Sequence, residues 1–503
     1  MRHLLGWRSF IALAAAVAAI GAAPAAATVT GTTNINPTPP FPFAFPSACI
    51  QPDLGTNYRG AEVEPWVAAN PAAPGNLVAV WQQDRWSNGG SNGLFGGVSL
   101  NGGASWAPTF AAFTHCTGGN AQNGQDYQRA TDPWVTFSPN GVGYWMGFSF
   151  NSTDGVHEIN VARSTNSGST WSNPITLRKD LSDTILNDKN SMTADPGNAN
   201  YVYGVWDRLV FPNETAKGQH AERAAGYTGP AWFARTTNGG KSWEPAKLIY
   251  DPALDGPGQG RNDQTIGNQI VVLPNGTLVN GFNLIHNDNA HQRQGSKVAL
   301  IRSIDKGATW ETHATVVSTL GSVGVADPTT GAAVRTGDII PEIGVDRSKA
   351  RTKGNLYFVW QDAGFNGGAT DAIAFSKSSD GGTTWTAPVR ISNSGGKPAF
   401  TPAISVNDQG TIAVTYYDFR NDSSTAPLDT DVWTVTSTDG GATWREQHLS
   451  GPFDMTKAPV ARGHFVGDYI GQAVIGNGFH PVWVEANGPQ NTTEVYTTTV
   501  TAP

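Results

Sequence analysis

The chain has 503 residues, of which only 14% are charged, with 59 glycines, 17 tryptophans and a formal charge of −8. Such a chain is built from short strands and tight turns around aromatic packing, and its 39% hydrophobic content excludes disorder. Negative charge without a basic stripe excludes nucleic acid as a partner.

In chain order, residues 1–27 read as a signal peptide. Arg2 and Arg8 precede the apolar run "SFIALAAAVAAIGAA", and Ala25 to Ala27 suit a small-residue cleavage site. The run is short and alanine-rich for a membrane span, and no later stretch replaces it. The expectation is a secreted or periplasmic protein, mature from about Thr28. Residues 28–60 form an N-terminal arm. The only two cysteines, Cys49 and Cys116, are expected to form one disulfide between this arm and a loop.

Residues 61–503 repeat one plan. A short strand comes first, as in "EPWVAANP", "DPWVTFSP" and "TPAISVND". A turn and a second apolar strand follow, as in "NLVAVWQ", "NYVYGVWD" and "NLYFVWQD". A third strand leads into a turn such as "SSDGGTTW", and a fourth begins near its tryptophan. These β-branched and aromatic runs, bounded by turn residues, are strands. The turn occurs six times, starting at Ser99, Ser164, Thr236, Ser303, Ser378 and Ser437. A unit of this length holds four strands, one blade of a propeller. A seventh copy after the sixth turn has only three strands. Residues 28–35 can supply its fourth and close the ring. The reading is all-β: a β-propeller with seven four-stranded blades favoured and six as the alternative.

Glycines such as Gly381 and Gly382 allow the tight turn, and its Asp or Asn accepts bonds from nearby N–H groups. The tryptophan fills the wedge between blades. The acid is Asn101, Asn166 and Asn238 in three of the six copies, so it is a turn acceptor rather than a catalytic acid. The six copies together resemble the Asp box, or BNR repeat, of the sialidase-like propeller proteins. That resemblance implies a secreted carbohydrate-active enzyme.

If the repeated turns mark one face, the strand starts and the loops after second strands share the other. Charge gathers there: Glu62, Glu64, Arg129, Asp132, Asp188, Lys189, Arg261, Asp263, Asp338, Glu342, Arg462, His464, Asp468 and Tyr469 at the starts, and Asp84, Arg85, Asp207, Arg208, His286, Asp288, Asp362, Asp418, Arg420 and Glu485 in the loops. A concave mouth with convergent charge is the natural place for a site. The family resemblance implies three arginines on a substrate carboxylate, and Arg85, Arg208 and Arg420 stand at matching positions, with Arg462 and Arg59 in reserve. It also implies a tyrosine nucleophile, matched by Tyr469 beside Asp468, with Tyr417 behind it. Asp132 or Asp84 is the acid that protonates the leaving group. Glu64 and Asp263 complete the candidates.

No Arg-Ile-Pro-like stretch precedes the first blade, where "YRGAEVEP" stands instead. This keeps two alternatives open: a lyase on a uronate polysaccharide, using His464 or His286 with Tyr469, and a propeller that only binds glycans or proteins. No cofactor is implied. Asp371, Asp429 and Asp431 lie in oxygen-rich loops that could hold calcium, with solvated loops the favoured reading. The expected molecule is a monomer acting on a glycan or acidic polysaccharide.

Overall fold

The computed structural model describes residues 27–36, 43–212, 227–255, 262–287, 293–425 and 428–502. The expected signal peptide lies outside them except for Ala27, as do Arg261 and Asp288. Described residues are almost wholly strand and turn, with a few short 3-10 turns. No helix among them is long and apolar enough to cross a membrane.

The strands fall into antiparallel four-stranded sheets in sequence order. Sheet 1 comprises Glu62–Ala69, Leu77–Arg85, Ser91–Ser99 and Ala107–Thr109. Sheet 2 comprises Arg129–Phe137, Gly143–Phe150, His157–Ser164 and Ile175–Asp180; it packs against sheet 1, and among the described residues its only strand pairing with that sheet is at Ser91 and Ala130. Sheet 3 begins at Ile185–Ala194, sheet 4 at Gln264–Val272, sheet 5 at Glu342–Val345 and sheet 6 at Ala399–Val406. Sheet 7 comprises Gly471–Ile475, Gly478–Glu485 and Glu494–Thr497, and Thr33–Asn34 of the arm pairs with Glu494–Thr497 as its fourth strand. Each first strand packs beside the first strand of the next sheet, and Gly471–Ile475 packs back on Glu62–Ala69. This is a propeller-type arrangement with first strands around its axis. Closure by the arm removes the exposed edge that sheet 7 would otherwise carry.

Every second strand buries an aromatic ring completely: Trp81, Trp145, Trp206, Phe282, Trp360, Tyr416 and Trp483. Each contributes a large apolar area between sheets. The arm is held by the disulfide from Cys49 to Cys116, with Cα atoms 5.0 Å apart.

The repeated turns are built alike. In "SSDGGTTW", Asp380 Oδ1 accepts from Ser378 Oγ, Thr383 N and Thr384 N, while Oδ2 accepts from Thr384 Oγ1. Ser378 Oγ in turn accepts from Gly382 N at 2.9 Å. Asn101, Asn166 and Asn238 accept the same backbone bond at their own turns. A further regularity joins the sheets. The cation just before a turn donates to a carbonyl of the next sheet's turn: Arg163 to Gly239, Arg235 to Lys306, Arg302 to Gly381 and Lys377 to Gly440. Tryptophans of the turns fill the wedges, with Trp310 against Phe233 and Trp444 against Phe375 of the preceding sheet.

Candidate functional site

At the opposite end of the first strands the register slips. In sheets 1, 2, 3, 4 and 6 two residues oppose one on the second strand, forming a β-bulge. The first residue of each bulge has positive φ: Glu64 at 53°, Asp132 at 50°, Lys189 at 46°, Gly267 at 72° and Thr401 at 50°. Proline follows Glu64, Asp132 and Thr401, at positions where the ladder needs no donor. A non-glycine residue held there costs roughly 1–3 kcal/mol, a strain that clusters at functional positions. Here it turns three charged side chains toward one point.

That point is Lys189. Its Nζ lies 3.2 Å from Glu64 Oε1, 3.4 Å from Asp132 Oδ1 and 2.7 Å from Asp468 Oδ2. Asp468 also takes both arms of Arg335, with Nε to Oδ1 at 2.9 Å and Nη2 to Oδ2 at 2.5 Å. Two glycines admit this crowding. A Cβ on Gly467 would stand 2.8 Å from Glu64 N, and one on Gly337 would stand 1.8 Å from the Asp468 carbonyl oxygen.

Burial pushes the Glu64 carboxyl up to about 7, against the pull of Lys189 and with the repulsion of Asp132 and Asp468. Burial likewise raises Asp132 to about 6. Burial works in the same direction on Asp468, but Arg335 and Lys189 outweigh it and hold that carboxyl well below its usual range. Lys189 is held firmly protonated: three carboxylates overcome the penalty of its burial. The site thus combines one carboxylate that stays ionised with two that exchange protons near neutrality, the division of labour that acid–base chemistry needs.

A cavity of about 830 Å³ opens over this cluster, lined by Glu64, Arg85, Arg129, Asp132, Lys189 and Arg335 among others. Arg85 is 2% exposed and enters no ion pair among the described residues. Its Nη1 donates to Gln82 at 2.6 Å, and its Nε has no hydrogen-bond partner. Burial, then the charge of Arg335, lowers its pKa to about 10, against the pull of Glu64, Asp468 and Asp132. Arg129 is already committed to Asp53 at 2.5 Å.

The structure therefore brings together Glu64, Asp132, Asp468, Arg85 and Arg462 from the sequence-derived set. Lys189 adds the central cation. Arg335, missed in the sequence, arrives from the segment between sheets 4 and 5. The other assignments are corrected. Arg208 is bound by Asp180, with Nη2 to Oδ1 at 2.6 Å, and stacks on Trp232. Arg420 is held by Asp418 and Glu446 over Trp433. Neither lines the cavity, so they form no clamp with Arg85. The reserve Arg59 donates to Phe45 O and Ser47.

Asp84 is fully buried, where its carboxylate accepts from the backbone N–H of Phe45 and Gly60; it anchors the arm. Asp263 pairs with His286 at 2.9 Å, and His464 lies on a strand beside Arg335; none of the three lines the cavity. Tyr469 is 5% exposed, packed near Trp66 and Trp134, and its hydroxyl has no partner among the described residues. Burial and the charges of Glu64, Asp132 and Asp468 drive its pKa well above 10, which opposes a tyrosine nucleophile. Tyr417 is fully buried, donating to Val484 O.

Two of the acids in the oxygen-rich loops are already engaged. Asp371 accepts from Ser322, Val323 N and Gln361, and Asp431 from Asn421 and His448. Among the described residues no group of three or more His, Cys, Asp or Glu is placed to hold a metal ion.

Fold and site together define an all-β, propeller-type protein with a buried carboxylate–ammonium cluster beneath a cavity lined by charges of both signs. No protein-family model matches the chain, and no curated protein does. Among solved structures it is similar to a Hadza microbial sialidase, at 15% identity and TM-score 0.47, over 86% of this chain and 74% of that one. It is similar to a Penicillium chrysogenum α-L-arabinanase, at 14% identity and TM-score 0.46, over 77% and 94%. A Dyadobacter fermentans protein of unknown function is similar at 16% identity and TM-score 0.46, over 74% and 95%. Likenesses this distant assign no activity to this chain.

Proposed function

We propose that the protein is a secreted carbohydrate-active enzyme on a seven-bladed propeller, a glycoside hydrolase that acts on a terminal acidic sugar. Arg85 carries this reading. Its buried guanidinium makes no direct ion pair among the described residues and feels Glu64, Asp468 and Asp132 only at longer range, so a substrate carboxylate entering the cavity can take its unfilled donors. Arg335 and Arg462 face the same space.

The neighbouring acids supply the chemistry. Glu64, with its pKa near 7, keeps a proton close to neutrality and gives it to the departing glycosidic oxygen. Asp132, lower at about 6, is the partner carboxylate that faces the sugar. Lys189 fixes both. Carboxylates, not Tyr469, carry the reaction. Secretion is supported by the leader-like residues 1–27 and the disulfide.

The test uses fluorogenic glycosides of N-acetylneuraminic acid, glucuronic acid and arabinose, with wild type and Glu64→Gln. Release from an acidic glycoside, lost in the variant, is the expected result. An ultraviolet-absorbing unsaturated product from a uronate polymer points to the lyase instead. Binding without turnover across the panel reduces the protein to a glycan-binding propeller.

A further inference from the structure

The cavity over Glu64 and Asp132 is not alone. A second one, of about 440 Å³, lies on the other side of the cluster, lined by Val323, Val325, Val334, Asp338 and Asp468 among others. Lys189, Arg335 and Arg462 line both. Its wall is the segment between sheets 4 and 5. There Val325–Ala326 pairs with Ala333–Arg335, which runs parallel to His464–Phe465 from the connection into sheet 7. This insertion sets Arg335 on Asp468 and packs Gly337 against the Asp468 backbone. The walls therefore close on the reacting groups rather than forming an unrelated surface dent. Glu64 and Asp132 face only the first cavity, and Asp468 only the second.

We propose that the second cavity is a binding site for the sugar on the leaving-group side of the scissile bond, so that the substrate is an oligosaccharide spanning both cavities. The proposal rests on the glycosidase reading of the cluster. The two halves differ in chemistry. Arg85, the buried guanidinium outside any ion pair, faces the first cavity alone and receives the acidic sugar. The second offers aliphatic side chains beside Asp338, and its cations Lys189 and Arg335 are already paired with Asp468. These suit the apolar face and hydroxyls of a neutral sugar. A bond between the two sugars then lies at the junction, beside Lys189, where the proton-bearing carboxyls stand.

Two measurements test this. In the first, kcat/KM is compared for sialyllactose, which has a neutral disaccharide as leaving group, and for the glycosyl fluoride of the same acidic sugar, whose leaving group is one atom. Val323→Trp, at a residue 55% exposed on the second cavity, narrows that space. It should lower kcat/KM for sialyllactose at least tenfold more than for the fluoride. Ala333→Trp, on the same cavity, is the second variant should the first fold poorly. In the second measurement, lactose is titrated into wild type and variant by calorimetry, with binding expected only in wild type.

An equal change on both substrates overturns the proposal, as does lactose that binds neither protein or binds both alike. If wild type turns over neither of these substrates nor the acidic glycosides of the first panel, the glycosidase reading fails by itself. The lactose titration then still decides whether the second cavity holds a neutral sugar.

Discussion

On the turn face, an acid sits among its own neighbours. Asp380 takes all its bonds from residues two to four positions away, and the turn stands in solvent. At the mouth, an acid sits among strangers. The partners of Lys189 are 57, 125 and 279 residues distant, and Glu64 accepts from the backbone of Asp468 across 404. Asp380 is held well below its usual range, chiefly by the Thr384 hydroxyl, whereas Glu64 is driven up by burial. Both regions are acid-rich loops at strand ends. Only the second gathers buried charges from distant strands at the floor of a cavity, and that is what makes its protons useful.

The contrast breaks most visibly at Lys189. Lys189→Met leaves three buried carboxyls without their shared cation. Removing one partner of a buried ionic group costs about 3–5 kcal/mol, so thermal unfolding should show a drop of that size. Turnover should fall to background. A melting curve unchanged by the substitution would mean that the cluster is wetter and looser than the structure has it.

Next is Glu64→Gln, which keeps the shape and removes the proton. General acid catalysis of this kind contributes about 10²–10⁴-fold, and kcat/KM should fall accordingly. In wild type the activity should decline as pH rises past about 7, where Glu64 ionises. Stability has the matching sign. Folding raises this pKa from 4.5 to about 7, so the folded state holds the proton more tightly. The stabilisation is complete below about pH 4.5 and is lost as pH climbs to about 7. Glu64→Gln should flatten that slope, which melting temperatures across the window will show.

Arg85→Met sharpens the distinction between binding and holding. An acidic substrate should lose affinity, with KM rising about 10–100-fold if one charge-assisted contact of about 1.5–3 kcal/mol disappears. Stability should change little, because the cost of burying the charge and its attraction to Glu64, Asp468 and Asp132 are lost together. A marked loss of stability would reveal a structural partner for Arg85 and remove the main support for an acidic substrate.

These differences also explain what the sequence made legible. The six turns, the aromatic of each second strand and the closing arm are local or periodic patterns, and each recurs in the structure. Glu64 and Asp132 were visible as acids at equivalent strand starts, each followed by proline. Lys189 occupied the same position in "NDKNS" without the proline, so its match to the bulge residues did not stand out. Arg335 lies in a non-repeating insertion, where no period points to the axis. Arg208 and Arg420 misled because strand position fixes which face a residue occupies, but not whether an ion pair such as Arg208 with Asp180 has already claimed it.

The smallest expected effect belongs to the turn face. Asp380→Asn keeps the oxygen that accepts from Thr383 and Thr384, and Asn101, Asn166 and Asn238 already do this work in the same molecule. Its effect on stability should stay within about 0.5 kcal/mol, the range of ordinary surface changes. Asp380→Ala removes the acceptor altogether and should cost about 1 kcal/mol, the net worth of an intramolecular hydrogen bond of this kind. Neither should alter kcat, since the turns lie at the far ends of the strands from the bulges. Denaturant melts paired with a turnover assay read both quantities. A change in kcat from Asp380→Asn alone would show that the two faces are coupled through the strands between them. The division of the molecule into a holding face and a working face would then be wrong.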